Sequence, residues 1–335
     1  MVSDASIPSA ACAGSPGDAL SPDMRRFQQW LSAAYARHPP LDSVDLPTAR
    51  AIIEQVRAPL TDGGPAMASS EDREVNTGRH APLRLRIHRP SAAPRLPALL
   101  YLHGGGWVYF SNRTHDRLMR EYAARSGRLV IGLDYAQAPE ARYPVALSQC
   151  VDTVHWLRAC APALDLDPGH LALGGDSAGA NLALATALAL RDQGALGGVD
   201  ALVLNYGAFT DEETESHTLY DGPRYVLGRE EMRWFWAQYL GRPQDRLDPL
   251  AQPGRADLRD LPPCCVVAAE CDVLRDNSLA LDRSLDRAGV AHALHRFAGA
   301  SHSFLEALNF SPLALQALQA GADWLHRHGP AERTA

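Results

Sequence analysis

The chain has 335 residues, 46% of them hydrophobic and 21% charged, and its 32 basic against 39 acidic side chains give a formal charge of −7. That composition excludes a disordered chain, a collagen and a disulfide-stapled miniprotein, and an acidic balance with scattered arginines argues against a nucleic-acid partner. Six cysteines (Cys12, Cys150, Cys160, Cys264, Cys265 and Cys271) with no CxxC pair read as buried thiols in a reducing cytoplasm.

Residues 1–22, rich in Ser, Ala, Pro, Gly and Asp without an apolar period, read as a flexible tail. The first basic side chain is Arg25, so the basic and apolar regions of a secretory signal are missing and a cytoplasmic location is expected. Amphipathic spacing predicts helices near Met24 to Ala36 and Thr48 to Ala58. From about residue 80, short β runs alternate with helices. Strands are expected at Leu83 to His88, Ala98 to Leu102, Leu129 to Leu133, Leu171 to Gly174, Ala201 to Leu204, Cys264 to Ala269 and Ala293 to Phe297. Helices are expected near His115 to Ser126, Val145 to Ala159, Ala178 to Gln193, Ser278 to Ala288 and Leu313 to His326. This order predicts an α/β fold with a mostly parallel sheet covered on both faces. Residues 206–260 break the rhythm: Met232, Phe235, Trp236, Tyr239 and Leu240 share one helical face and read as the packed side of an inserted segment. Ala178 to Leu190, the longest strongly apolar stretch, is shorter than the roughly 20 residues a membrane span needs, so it is expected to be a buried helix.

Chemistry begins at Gly175-Asp176-Ser177-Ala178-Gly179, directly after an expected strand and directly before an expected helix. A sharp strand-to-helix turn exposes a serine Oγ above the sheet, and flanking glycines avoid collisions with neighbouring elements. His103-Gly104-Gly105-Gly106-Trp107 follows the strand ending at Leu102. Backbone N–H groups in such a loop can converge on the oxygen that becomes negative during acyl transfer, and Ala178, the residue after the serine, adds another N–H.

Serine needs a base, and the base an orienting acid, expected in the chain order Ser, Asp or Glu, His. Glu270, Asp272 and Asp276 follow the strand ending at Ala269, and His302 follows the strand ending at Phe297. Asp272 and His302 are the candidate acid and base. Asp276 and Glu270 are rival acids, Asp276 being also placed to cap the next helix. His292 and His295, at and inside a strand, have a structural role by default.

HGGGW at 103–107, DYAQAPEARYP at 134–144, GDSAG at 175–179, CDVLRD at 271–276 and SHSF at 301–304 together resemble the hormone-sensitive-lipase group of α/β-hydrolases, specifically its bacterial acetyl esterase branch. The resemblance runs from about residue 75 to the C-terminus. It implies a single-domain α/β-hydrolase fold with a helical cap, and a serine carboxylesterase for short acyl esters that needs no cofactor and no metal. Carried over by position, Ser177, Asp272 and His302 match the catalytic triad, and Gly105, Gly106 and Ala178 match the oxyanion donors, with Gly104 alongside. Residues 23–75 would supply the N-terminal cap helices, 76–330 the catalytic domain, and 206–260 would complete the cap. Asp134-Tyr135 and Pro139-Glu140 read as braces under the glycine loop. His103, Trp107, Phe110, Tyr206 and Phe209 are the candidate pocket residues. Phe110 is a departure: the family pattern HGGG-x-x-x-G has glycine there, and the ring either narrows the acyl site or turns into the cap interface. An amidase or deacetylase of a particular metabolite would use the same residues. A ligand-binding protein on this fold would be expected to lack a triad member. The expected partner is a small-molecule ester, and self-association as a homo-oligomer stays open.

Overall fold

The computed structural model describes residues 19–330. Residues 1–18 of the expected tail, with Cys12, lie outside them. Chain order gives strands β1 (Ser69–Val75), β2 (Leu83–Arg89), β3 (Leu96–Leu102), β4 (Leu129–Asp134), β5 (Leu166–Asp176), β6 (Val199–Asn205), β7 (Cys264–Cys271) and β8 (His292–Ser301). They form one sheet in the order β1-β2-β4-β3-β5-β6-β7-β8. β2 is antiparallel to β1 and β4, and every pairing from β4 to β8 is parallel.

Helices precede, connect and follow the strands: α1 (Pro22–Tyr35), α2 (Leu46–Arg57), α3 (Asp116–Ser126), α4 (Val145–Ala159), α5 (Ala161–Leu164), α6 (Ala178–Asp192), α7 (Glu215–Leu219), α8 (Arg229–Tyr239), α9 (Arg275–Arg287) and α10 (Pro312–His328). α1 starts inside the stretch read as a tail, because Ser21 Oγ accepts from the Met24 N–H at 3.2 Å and Pro22 suits a first helical position. Leu20 is buried, and the Ser21 N–H donates to Gly299 O at 3.0 Å.

Alternation along the strands separates two apolar layers. Leu100, Leu102, Leu173, Leu202, Leu204 and Val266 pack with α4, α6 and α9, while Leu99, Tyr101, Val130, Ala172, Val203 and Val267 pack with α1, α2, α3 and α10. Each fully buried leucine stabilises the fold by about 1.5–3 kcal/mol relative to exposure. The face of α8 carrying Met232, Phe235, Trp236 and Tyr239 is buried in the first layer.

β1, an edge strand of sequence SSEDREV, carries a single buried side chain, Val75, so no apolar alternation announces it. The sheet therefore begins at Ser69, ahead of the expected boundary at residue 76. Cys150, Cys264, Cys265 and Cys271 are buried free thiols, but Cys160, at the end of α4, is only half-buried. Among the described residues no helix is long and apolar enough to cross a membrane.

Candidate active site

β5, β7 and β8 run parallel and end at one edge of the sheet, which brings the loops that follow them together. Ser177 lies between β5 and α6 with φ 54° and ψ −118°, a left-handed conformation that costs a non-glycine residue roughly 1–3 kcal/mol. The turn is tight because β3 passes alongside. A Cβ on Gly179 would come within 1.9 Å of Leu102 O, and one on Gly175 within 2.5 Å of the same oxygen.

Ser177 Oγ is 2.9 Å from His302 Nε2, and His302 Nδ1 is 2.7 Å from Asp272 Oδ2. All three side chains are buried. Asp272 Oδ1 also accepts from the Leu274 N–H at 2.9 Å, which fixes the carboxylate. With Nδ1–H donating to Asp272, a neutral His302 presents the Nε2 lone pair to the serine hydroxyl. Burial disfavours the charged imidazole, but Asp272 outweighs it by charge and hydrogen bonding, so His302 titrates above the usual histidine value.

The rival residues are engaged elsewhere. Asp276 accepts from the Ser216 N–H of α7 at 2.9 Å and pairs with Arg275, so it caps α7 rather than its own helix. Glu270 pairs with Arg296. His292 Nδ1 donates to Val290 O, and His295 stays in β8.

In the glycine loop, Gly105 and Gly106 have φ of 99° and 60°. The Gly105 carbonyl accepts from the Val108 and Tyr109 N–H groups, while among the described residues the N–H groups of Gly105 and Gly106 donate to no protein acceptor. The Ala178 N–H opens α6, where first-turn donors have no intrahelical partner. Gly104 is packed against the residue before the serine: a Cβ there would be 2.5 Å from Asp176 Oδ2. Tyr135 braces the loop by donating to His103 O at 2.8 Å, and Arg50 ties it to Glu140 and to the carbonyls of Val108 and Ala138.

Beneath the elbow, Asp176 accepts from Tyr101 OH at 2.9 Å and lies 3.2 Å from His115 Nε2. Burial raises the Asp176 carboxyl, but His115 outweighs it and the group titrates low; the same pairing overcomes burial to raise His115. His103 is pushed down to about 3 by burial and by His115, so its ring is neutral.

Ser177, His302, Gly105 and Gly106 line a cavity of 130 Å³, about the size that holds one benzene-sized group. Phe110 lines it too, in a left-handed conformation with φ 70°, which is why glycine suits this position. The other candidate pocket residues do not line it. His103 stacks on Tyr135 at 4.3 Å, Trp107 stacks on Tyr239 at 4.3 Å, and Phe209 is buried beside Gly207 with its N–H held by Asn277. Tyr206 lies edge-on to the His302 ring at 5.1 Å. The sequence reading missed Tyr35, Arg57 and Glu231, which also line the cavity. Arg57 ends an amphipathic helix, Tyr35 ends another, and Glu231 sits in a charged helical stretch, so no local pattern separates them from surface residues.

Residues 99–306 match the family described as the alpha/beta hydrolase fold. The chain is 37% identical over 239 residues to a protein named acetyl esterase from Salmonella typhi, covering 71% of this chain and 74% of that one. Among solved structures it is similar to a hyperthermophilic esterase of the archaeon Pyrobaculum calidifontis, with TM-score 0.86 and 36% identity over 92% of this chain and 98% of that one. It is also similar to a thermostable esterase from Pseudomonas putida, with TM-score 0.87 and 28% identity over 96% of this chain and 100% of that one.

Proposed function

The chain belongs to the α/β-hydrolase family, in its hormone-sensitive-lipase-like group, and is a carboxylesterase; from that premise we propose that it cleaves short-chain, acetyl-type esters through an acyl intermediate on Ser177. The observation that carries the mechanism is the continuous contact from Ser177 Oγ through His302 to Asp272 Oδ2, at 2.9 and 2.7 Å.

In the first half-reaction His302 Nε2 takes the Ser177 proton as Oγ attacks the ester carbonyl. The resulting oxyanion accepts from the N–H groups of Gly105, Gly106 and Ala178. One such donor is worth roughly 10²–10³ in kcat. His302 then protonates the departing alcohol, so the tetrahedral intermediate collapses to the acyl-serine. In the second half water enters, His302 removes its proton, and the acid leaves as Ser177 recovers its hydrogen. Asp272 holds the imidazole in the required tautomer and stabilises its cation throughout.

The 130 Å³ cavity and the Phe110 ring in its wall support a short acyl group. Leu31 and Tyr35 of α1, Ile53 and Arg57 of α2 and Met232 and Phe235 of α8 line the same cavity, which supports a roof made of these helices. Hydrolysis of p-nitrophenyl esters from acetate to decanoate tests the reading. Acetate and butyrate should be turned over fastest, and a preference for decanoate would exclude it.

A further inference from the structure

Outside the catalytic cavity, and meeting it at Leu41, Tyr109 and Glu231, is a cleft of 510 Å³ between the 3-10 turn Leu41–Ser43, the start of α2 and α8. Its walls are apolar and aromatic. Trp234 is 39% exposed, although it is one of the large apolar side chains, and stacks on Tyr109 with ring centres 5.8 Å apart. Its charged lining residues are Asp42 and Glu231, both acidic. Neither lies within ion-pair distance of a basic group among the described residues; burial raises the Glu231 carboxyl, against the more distant pull of His302 and Arg57. Arg50, next to the lining residue Ala49, has its guanidinium occupied by Glu140 and by the carbonyls of Val108 and Ala138.

Aromatic faces attract a cation through the negative potential above the ring, and carboxylates add Coulomb attraction that partial removal from water strengthens. Neutral or anionic groups gain neither. The cleft adjoins the cavity that holds Ser177, so a group reaching it remains attached to an ester whose carbonyl is at the serine. With the small cavity filled by the acyl portion, that group is the alcohol.

We propose that this cleft is a subsite for the alcohol portion of the substrate and selects esters whose alcohol carries an ammonium group. The proposal rests on the ester-hydrolase reading above, and it adds a substrate class that the catalytic residues do not specify.

Acetylcholine and 3,3-dimethylbutyl acetate have the same shape and differ in charge at one atom, so the ratio of their kcat/KM isolates the cation. In the full-length protein at low salt the ratio should favour acetylcholine by about tenfold, as expected for a cation on aromatic rings. It should fall as salt is raised, because screening weakens the carboxylate contribution. It should also fall in Glu231→Gln, Asp42→Asn and Trp234→Leu, whatever each does to the absolute rates. A wild-type ratio near one, with 3,3-dimethylbutyl acetate hydrolysed, would overturn the subsite while leaving the esterase reading standing. A high ratio untouched by all three substitutions would also overturn it, since the cation would then be held elsewhere. If p-nitrophenyl acetate itself were not hydrolysed, the esterase reading would fall and this proposal with it.

Discussion

The Arg57 guanidinium lies 4.3 Å from the centre of the Phe110 ring, in the wall of the cavity that contains Ser177. The same side chain places Nε 2.9 Å from Glu306 Oε2 and donates from Nη1 to Tyr35 OH at 2.6 Å. Glu306 closes the short turn that follows His302. One arginine at the end of α2 therefore touches the segment after the glycine loop and the segment after the base.

Both members of the Arg57–Glu306 pair are buried, and removing one partner of such a pair costs about 3–5 kcal/mol because the other charge is stranded. Arg57→Met should lose stability on that scale in urea unfolding. Arg57→Met combined with Glu306→Leu should recover a large part of it. Simple addition of the two single losses would show that the residues do not act as a pair.

Phe110 should set the acyl limit. Phe110→Gly relieves a left-handed residue, a strain of roughly 1–2 kcal/mol, and removes a ring from the cavity wall. Each methylene a pocket newly accepts is worth about 1–3 kcal/mol, so kcat/KM for the hexanoate ester should rise relative to acetate. An unchanged chain-length profile in the folded variant would assign the ring to holding Arg57 alone.

His302 must be neutral to accept the serine proton, and its pairing with Asp272 keeps it protonated to higher pH than an ordinary histidine. The acidic limb of kcat/KM should therefore have its midpoint above about 6.5. The linked stability has the opposite sense. Because the folded value is the higher one, the contribution is complete below about 6.5 and is lost as pH rises through the folded value. Asp272→Asn should lower kcat by about 10⁴, whereas Asp276→Asn, which uncaps α7, should cost far less. The reverse ranking would transfer the acid's role to Asp276.

Gly179→Ala should be badly tolerated, since its Cβ would overlap Leu102 O where strand and helix are both fixed. Gly197 has no atom within 4 Å of an added Cβ and a φ open to alanine, so Gly197→Ala should stabilise slightly, by about 0.4–1 kcal/mol. Melting temperatures of the two variants compare them directly, and equal shifts would contradict the crowding at Gly179.

Much of this was readable in the chain because the relevant signals are local. β2 alternates apolar and polar residues and β3 to β7 carry apolar runs, and Ser177, Asp272 and His302 each follow a strand at the same sheet edge, where the fold brings them into contact. β1 was not readable, because an edge strand facing solvent has no apolar alternation. Trp107, Tyr206 and Phe209 resemble pocket residues by position, yet their rings pack against Tyr239, His302 and Gly207, and sequence order does not say which way a ring turns. Arg57 and Glu306 are 249 residues apart in number, and only the tertiary fold pairs them.

The most direct test of the account is kcat of Ser177→Ala on p-nitrophenyl acetate, paired with labelling by an organophosphate. Losing the nucleophile removes the covalent path while leaving the cavity and the N–H donors in place. The account predicts a fall of about 10⁴ or more, with stoichiometric labelling of the wild type and none of the variant. A fall of only about tenfold, or labelling that persists in the variant, would contradict it, because turnover would then run through another group.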